Sequence, residues 1–256
     1  MRNSRLPLAA LAIAAALLLV MAAPAGAHRK KHRHHARSAT AHTYQVTIKN
    51  LTRGQPLTPP VLVTHSDEDQ VFEVGQPASV GVREIAENGN LAPLLAFLNA
   101  NPFGDFFDIK SGSAPIVPSG RTAATGFSDE QTLRIEAAPG FRHLSWVSML
   151  ICTNDGFTGL NGLELPKKVG RSVTVTTNGY DSHTEKNTEN FADIVPPCPA
   201  LSGVPSSKSG SGVSDPALAE GGVIAHHEGI KGGSDLSPAI HGWTDPVAEV
   251  TVEAIG

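Results

Sequence analysis

Short runs in which apolar and polar residues alternate recur along most of the chain. In the first run, Tyr44, Val46 and Ile48 alternate with polar neighbours, and this period of two predicts a strand with one buried face. Further extended runs follow, separated by Gly, Pro and Asn residues. They cover residues 61–64, 79–85, 132–137, 144–151, 172–176 and 247–254.

One segment has a helical period instead. Leu91, Leu94, Leu95 and Leu98 follow the spacing of a single helix face, and Asn-Pro at 101–102 ends the pattern. Many short strands with few helices predict an all-β, antiparallel β-sandwich with one short helix and long loops, not a doubly wound fold. The Gly- and Ser-rich stretch 201–222 predicts a flexible loop. The loop is inserted within one domain, residues 43–256, because the last alternating run needs a sheet partner.

The N-terminus has the pattern of a signal peptide. Arg2 and Arg5 precede an apolar run over residues 6–23, and Ala25-Gly26-Ala27 follows as a small-residue cleavage pattern. The alternative is a retained membrane anchor, for which the run is short. We therefore expect residues 1–27 to be removed and the mature chain to be secreted, with no stable membrane insertion.

Charge is unevenly distributed along the chain. Residues 28–42 contain five histidines and five Lys or Arg residues with no acid, whereas residues 43–256 contain 13 basic and 24 acidic side chains, a net charge of −11. We expect the basic, His-rich segment to be disordered, serving either as a spacer or as a weak binder of metals or anionic surfaces. The acidic body disfavours a nucleic-acid partner.

The chain has two cysteines, Cys152 and Cys198. In an oxidising compartment an even pair favours a disulfide over a thiol site. This bond would close a loop of about 45 residues and contribute roughly 4 kcal/mol on the chain-entropy model.

Carboxylates and turn-forming residues crowd two segments between these cysteines. Asp155 follows an apolar strand and precedes Gly156, while Asp181 and Glu185 lie four residues apart in a polar loop. Calcium is bound by oxygens from irregular loops, and a bound cation would offset the repulsion of converging carboxylates. The alternative is that the aspartates are ordinary turn residues and Glu185 is a solvated charge.

Several stretches, in order along residues 43–256, resemble the spondin domain family in its stand-alone, exported bacterial form. They are Thr-Pro-Pro-Val-Leu-Val-Thr-His (58–65), Val-Gly-Gln-Pro-Ala-Ser (74–79), Ile-Ala-Glu-Asn-Gly (85–89), Ser-Met-Leu-Ile-Cys-Thr-Asn-Asp-Gly-Phe-Thr-Gly (148–159), Tyr-Asp-x-x-Thr-Glu (180–185) and a His-x-Trp-x-x-Pro-Val-Ala end (241–248).

The resemblance implies a C2-like sandwich that holds one calcium ion at a loop end. The metal ligands that it implies are Asp155, Asp181 and Glu185. Glu185 stands where the animal motif has Asp, and His183 stands where that motif usually has Gly.

Patterns for catalysis are weak. The chain has no Gly-x-Ser-x-Gly motif, and His227-Glu228 lacks the second histidine of a zincin. Ser145, beside His143, is interpreted as a solvent-facing strand residue. We therefore expect a non-catalytic, calcium-binding adhesion or ligand-binding module whose partner is an extracellular protein or polysaccharide. A metal-free envelope or matrix protein that binds through its loops is the alternative, and a secreted hydrolase is a third.

Overall fold

The structure is a computed structural model that describes residues 41–101 and 104–256. The predicted signal peptide and all but the last two residues of the predicted basic segment lie outside the described residues. Within them, no helix is both long and apolar enough to cross a membrane.

In the described residues, ten strands form two antiparallel sheets, which confirms the predicted all-β sandwich. The four-stranded sheet has the order β4-β1-β10-β7, and the six-stranded sheet has the order β3-β2-β5-β6-β8-β9. The strands are β1 (His42–Asn50), β2 (Val61–His65), β3 (Phe106–Ser111), β4 (Glu130–Ala137), β5 (His143–Met149), β6 (Gly156–Glu164), β7 (Ser172–Thr177), β8 (Gly179–Asp181), β9 (Ala225–His226) and β10 (Ala248–Ala254).

Five short helices lie between the strands in the described ranges, where the sequence predicts one. They are α1 (Val80–Asn88), α2 (Ala92–Ala100), α3 (Thr122–Thr125), α4 (Pro197–Ser202) and α5 (Pro238–His241). The predicted helix is α2.

The extended run predicted at 79–85 is wrong, because this segment is helix α1. Ser79 caps the helix, its side chain accepting a hydrogen bond from the Val82 N–H, and Gly89 ends it in the left-handed conformation. Val82, Ile85 and Ala86 fall on one buried face. Their helical spacing outweighs the strand preference of the valines.

The six-stranded sheet is buried on both faces. Leu62 and Trp146 face the four-stranded sheet, where they pack with alternating residues of β1 and β10 such as Val46. On the opposite face, Val63 and Val147 pack under α1, α2 and the cystine, and these residues form a second core. Because successive strand residues point to opposite sides, one short strand such as β2 contributes to both cores.

The segment 201–222 has many contacts with neighbouring loops. Its first two residues end α4. Beyond them, the Leu218 carbonyl accepts from the Lys186 N–H, and the Glu220 and Gly222 N–H groups donate to the carbonyls of Thr184 and His183. The segment therefore covers the loop that contains Asp181 and Glu185.

Candidate cation site and adjoining cleft

Asp155 lies in the tight turn between β5 and β6. The Thr153 hydroxyl closes this turn by donating to the Leu150 carbonyl (2.6 Å) and accepting from the Gly156 N–H (2.9 Å). A Cβ on Gly156 would lie 2.6 Å from the Thr153 hydroxyl oxygen, so this close approach requires glycine. Gly156 pairs with Asp181 across β6 and β8, and this register brings the two aspartate loops together.

The Asp155 carboxylate is fully buried and asymmetrically bonded. Its Oδ2 accepts from the Ser182 hydroxyl (3.0 Å), the Thr184 N–H (2.7 Å) and the Glu185 N–H (3.0 Å). Its Oδ1 is buried and has no hydrogen-bond partner in the described part of the chain. Such an oxygen calls for a proton, an ordered water molecule or a cation to offset its lost hydration.

Burial, and then the nearby charge of Asp181, raise the pKa of Asp155 to about 6. Asp181 is itself almost fully buried. Its Oδ1 accepts from the His183 N–H (2.7 Å), and its Oδ2 accepts from the Asn187 amide (2.6 Å). The structure thus brings Asp155 and Asp181 together at a site where two negative charges are costly without a cation.

Glu185 approaches the site mainly through its backbone. Its N–H donates to Asp155, but its own Oε1 accepts from the Asp215 N–H (3.0 Å). Burial raises the pKa of Glu185 to about 7, and the charge of Glu87 raises it more than that of Asp155 does. The Glu185 side chain therefore has other acidic neighbours besides the two aspartates.

Among residues 41–101 and 104–256, the three predicted ligands do not form a group whose oxygens all lie within 4.8 Å of one another. The group that does meet this distance is Cys152, Cys198 and His241. Its two sulfurs are bonded to each other, so it offers no thiolate ligands.

The predicted disulfide between Cys152 and Cys198 is confirmed, with the two Cα atoms 5.1 Å apart. Gln55, which the sequence did not single out, fixes the adjacent turn. Its side chain accepts from the Cys152 N–H (3.0 Å) and donates to the carbonyls of Cys152 (3.1 Å) and His241 (2.7 Å). The disulfide and Gln55 therefore hold the start of the Asp155 turn.

A cleft of about 640 Å³ opens beside Asp181. Its lining includes Asp181, His183, Glu189, His226, His227 and Lys231.

Two residues at this cleft have unusual local features. The Glu189 carboxylate accepts from the Lys231 N–H (2.6 Å) and the Gly232 N–H (2.7 Å), and its backbone has a positive φ of 57°. His227 is 4% exposed, its Nδ1 accepts from the Gly229 N–H (3.0 Å), and its Nε2 has no partner in the described ranges. Burial lowers the pKa of His227. His227 lacks the second histidine of the zincin spacing, and nothing in the sequence around it predicts its burial.

Ser145 is not solvent-facing, as the alternation predicted, but fully buried. Its hydroxyl bonds His65 Nε2 (2.7 Å), and His65 Nδ1 contacts the Ser66 carbonyl (2.6 Å). This is the arrangement of a nucleophile and its base, but His65 is 1% exposed. The two side chains lie on adjacent strands, β2 and β5, and their hydrogen bond satisfies two buried polar groups.

The fold and these contacts define a disulfide-bonded all-β sandwich with a buried pair of aspartates at one loop cluster. No family model and no curated protein gives a significant match to this chain.

Proposed function

We propose that this protein is an exported, non-catalytic, calcium-binding β-sandwich of the spondin type that acts as an extracellular adhesion or ligand-binding module. Asp155 and Asp181 bind the ion, with Glu185 as a third carboxylate ligand after a change of its side-chain rotamer. Backbone carbonyls and water complete the coordination shell.

The observation that carries this proposal is the buried, unpartnered Oδ1 of Asp155 beside Asp181. Four hydrogen bonds to Oδ2, two of them from Thr184, fix the carboxylate and leave Oδ1 free to bind an ion. Oxygen ligands from two loops are the preferred donor set of calcium. The ion would join the β5–β6 turn to the loop after β8, and so stabilise the loop cluster.

The test is thermal unfolding of the oxidised protein in EDTA and across a calcium series, for the wild type and Asp155→Asn. Calcium should raise the wild-type melting temperature, with a gain of about 2.7 kcal/mol at a hundredfold excess over Kd. The asparagine can keep an oxygen facing the donors from Ser182, Thr184 and Glu185, but it presents an amide NH₂ group where Oδ1 was. Asp155→Asn should therefore be at least as stable as the wild type in EDTA and gain nothing from calcium.

Asp67→Asn is the matched control, because Asp67 is an exposed aspartate, and it should keep the full calcium response. Glu185→Gln reports on the third ligand and should reduce the response by less than Asp155→Asn. A wild-type melting temperature that does not change with calcium concentration would contradict the cation site. It would favour the alternative of a metal-free envelope or matrix protein.

A further inference from the structure

We infer that the cleft beside Asp181 binds a neutral, hydroxyl-rich ligand, a saccharide, whose hydroxyl groups bond His227 Nε2 and the carboxylates of Asp181 and Glu189. This inference rests on the ligand-binding part of the proposed function. The cleft shares Asp181 with the proposed cation site, whereas His227 and Glu189 belong to the cleft alone. It assigns the chemical class of the ligand and the surface that binds it.

The protonation of His227 follows from its contacts. A backbone N–H can only donate, so the Gly229 N–H at 3.0 Å requires a bare lone pair on His227 Nδ1. The ring proton of the neutral imidazole is therefore on Nε2. The buried site has an N–H donor with no acceptor in residues 41–101 and 104–256.

This protonation state disfavours a metal ion at His227. An imidazole that binds a metal through Nε2 normally donates its other ring N–H to an acceptor. At His227 that second nitrogen faces the Gly229 N–H, so the required Nδ1–H would meet another donor. The unpartnered Nε2–H calls for a ligand that accepts a hydrogen bond.

The charges at the cleft further restrict the chemical class of the ligand. Three carboxylates line the cleft, those of Asp181, Glu189 and Glu228, together with Lys231, whose Nζ pairs with Glu228 at 3.0 Å. The charges of Asp181 and Glu189 remain uncompensated by this pair and would repel a carboxylate or phosphate placed at His227. A cationic amine, conversely, cannot accept from Nε2–H. A hydroxyl group satisfies both conditions, because it accepts from the imidazole and donates to a carboxylate.

The carboxylates are fixed and retain acceptor capacity. The two Glu189 oxygens each accept one backbone N–H, from Lys231 and Gly232, and a carboxylate oxygen has room for a second donor. The cleft volume of about 640 Å³ lies within the usual range for small-ligand sites. Two of the three non-glycine residues with positive φ in the described ranges, His183 and Glu189, line this cleft.

The test is saturation-transfer NMR on the full oxidised chain. The probes are methyl glucoside, methyl galactoside, methyl mannoside and N-acetylglucosamine, with glucuronate as the anionic counterpart of the glucoside. At least one neutral probe should bind, and more tightly than glucuronate. His227→Phe keeps a ring against Trp243, which His227 contacts at 4.9 Å between centroids, and should weaken binding about threefold to tenfold by removing one hydrogen bond.

His42→Phe is the control, because His42 lies in β1 of the other sheet, and it should leave binding unchanged. If His227→Phe does not fold, Glu189→Gln tests the same cleft and should also weaken binding. The proposal is overturned if no neutral probe gives a saturation-transfer signal at a probe concentration of about ten times a millimolar Kd. It is also overturned if glucuronate binds more tightly than the glucoside, or if folded His227→Phe binds as tightly as the wild type.

The same measurements in EDTA and in calcium separate this inference from the cation site. A calcium-dependent melting temperature without saccharide binding overturns the cleft inference alone. Saccharide binding by a protein whose melting temperature does not respond to calcium supports the cleft inference and contradicts the cation site.

Discussion

At the scale of single residues, the candidate site depends on which carboxylate oxygens lack partners. Sequence spacing identified Asp155 and Asp181, because turn residues after strands are visible in the pattern of apolar and polar positions. Spacing did not predict that the Glu185 side chain bonds the Asp215 N–H, since Asp215 belongs to a distant segment. Nor did it reveal His227, whose burial depends on Trp243 and the β8–β9 pairing.

The buried carboxyl groups give the metal-free protein a definite pH dependence. The pKa of Asp155 is raised to about 6 and that of Glu185 to about 7 in the folded state, so folding favours their protonated forms. The contribution of these two groups to stability is therefore greatest below the unfolded-state values near 4 and falls as the pH rises to about 7. For Asp155 alone the loss is about 3 kcal/mol. Burial lowers the pKa values of His65, His227 and His241, so the contribution of these histidines rises over the same range.

Denaturant unfolding in EDTA across this pH range measures the effect. Asp155→Asn should flatten the decline, because it removes one of the titrating groups, whereas Asp67→Asn should leave it unchanged. The stability of the wild type relative to Asp155→Asn should fall over this window, and a difference that stays constant or rises would contradict the raised pKa of Asp155.

At the scale of elements, the longer alternating strands could be predicted from the sequence, whereas the shortest strands and helix α1 could not. Strand β1 could be predicted from the run that begins at Tyr44, because buried apolar residues alternate there with polar ones. Strands β8 and β9 contain three and two residues, too few to show a period. Helix α1 was missed because its capping residue, Ser79, was assigned to the extended run itself.

The Ser79 cap supports a helix that covers the second core. Ser79→Ala removes the acceptor of the Val82 N–H, which lies 3.3 Å from the Ser79 hydroxyl oxygen. The free energy of unfolding should fall by about 1 kcal/mol, measured by urea denaturation. Ser113→Ala, at an exposed serine, is the control and should be neutral. Equal losses in both variants would show that the cap contributes nothing specific.

At the scale of the whole molecule, the disulfide between Cys152 and Cys198 joins two parts of the second core. Replacing both cysteines with alanine should lower the free energy of unfolding by roughly 4 kcal/mol on the chain-entropy model. It should also weaken the calcium response, because Cys152 begins the turn that contains Asp155. Denaturant midpoints of the double variant and of the wild type in reductant should agree, and both should lie below that of the oxidised wild type.

The turn between β6 and β7 lies within the loop that this disulfide closes. It contains Lys167, whose side chain is 70% exposed, and Val169, which is 60% exposed, so it is open to a protease that cuts after lysine. One cut there would leave two polypeptides joined by the cystine and by the strands of both sheets. Asp155 would belong to one fragment and Asp181 to the other, so the nicked protein would assemble the proposed cation site from two covalently linked chains.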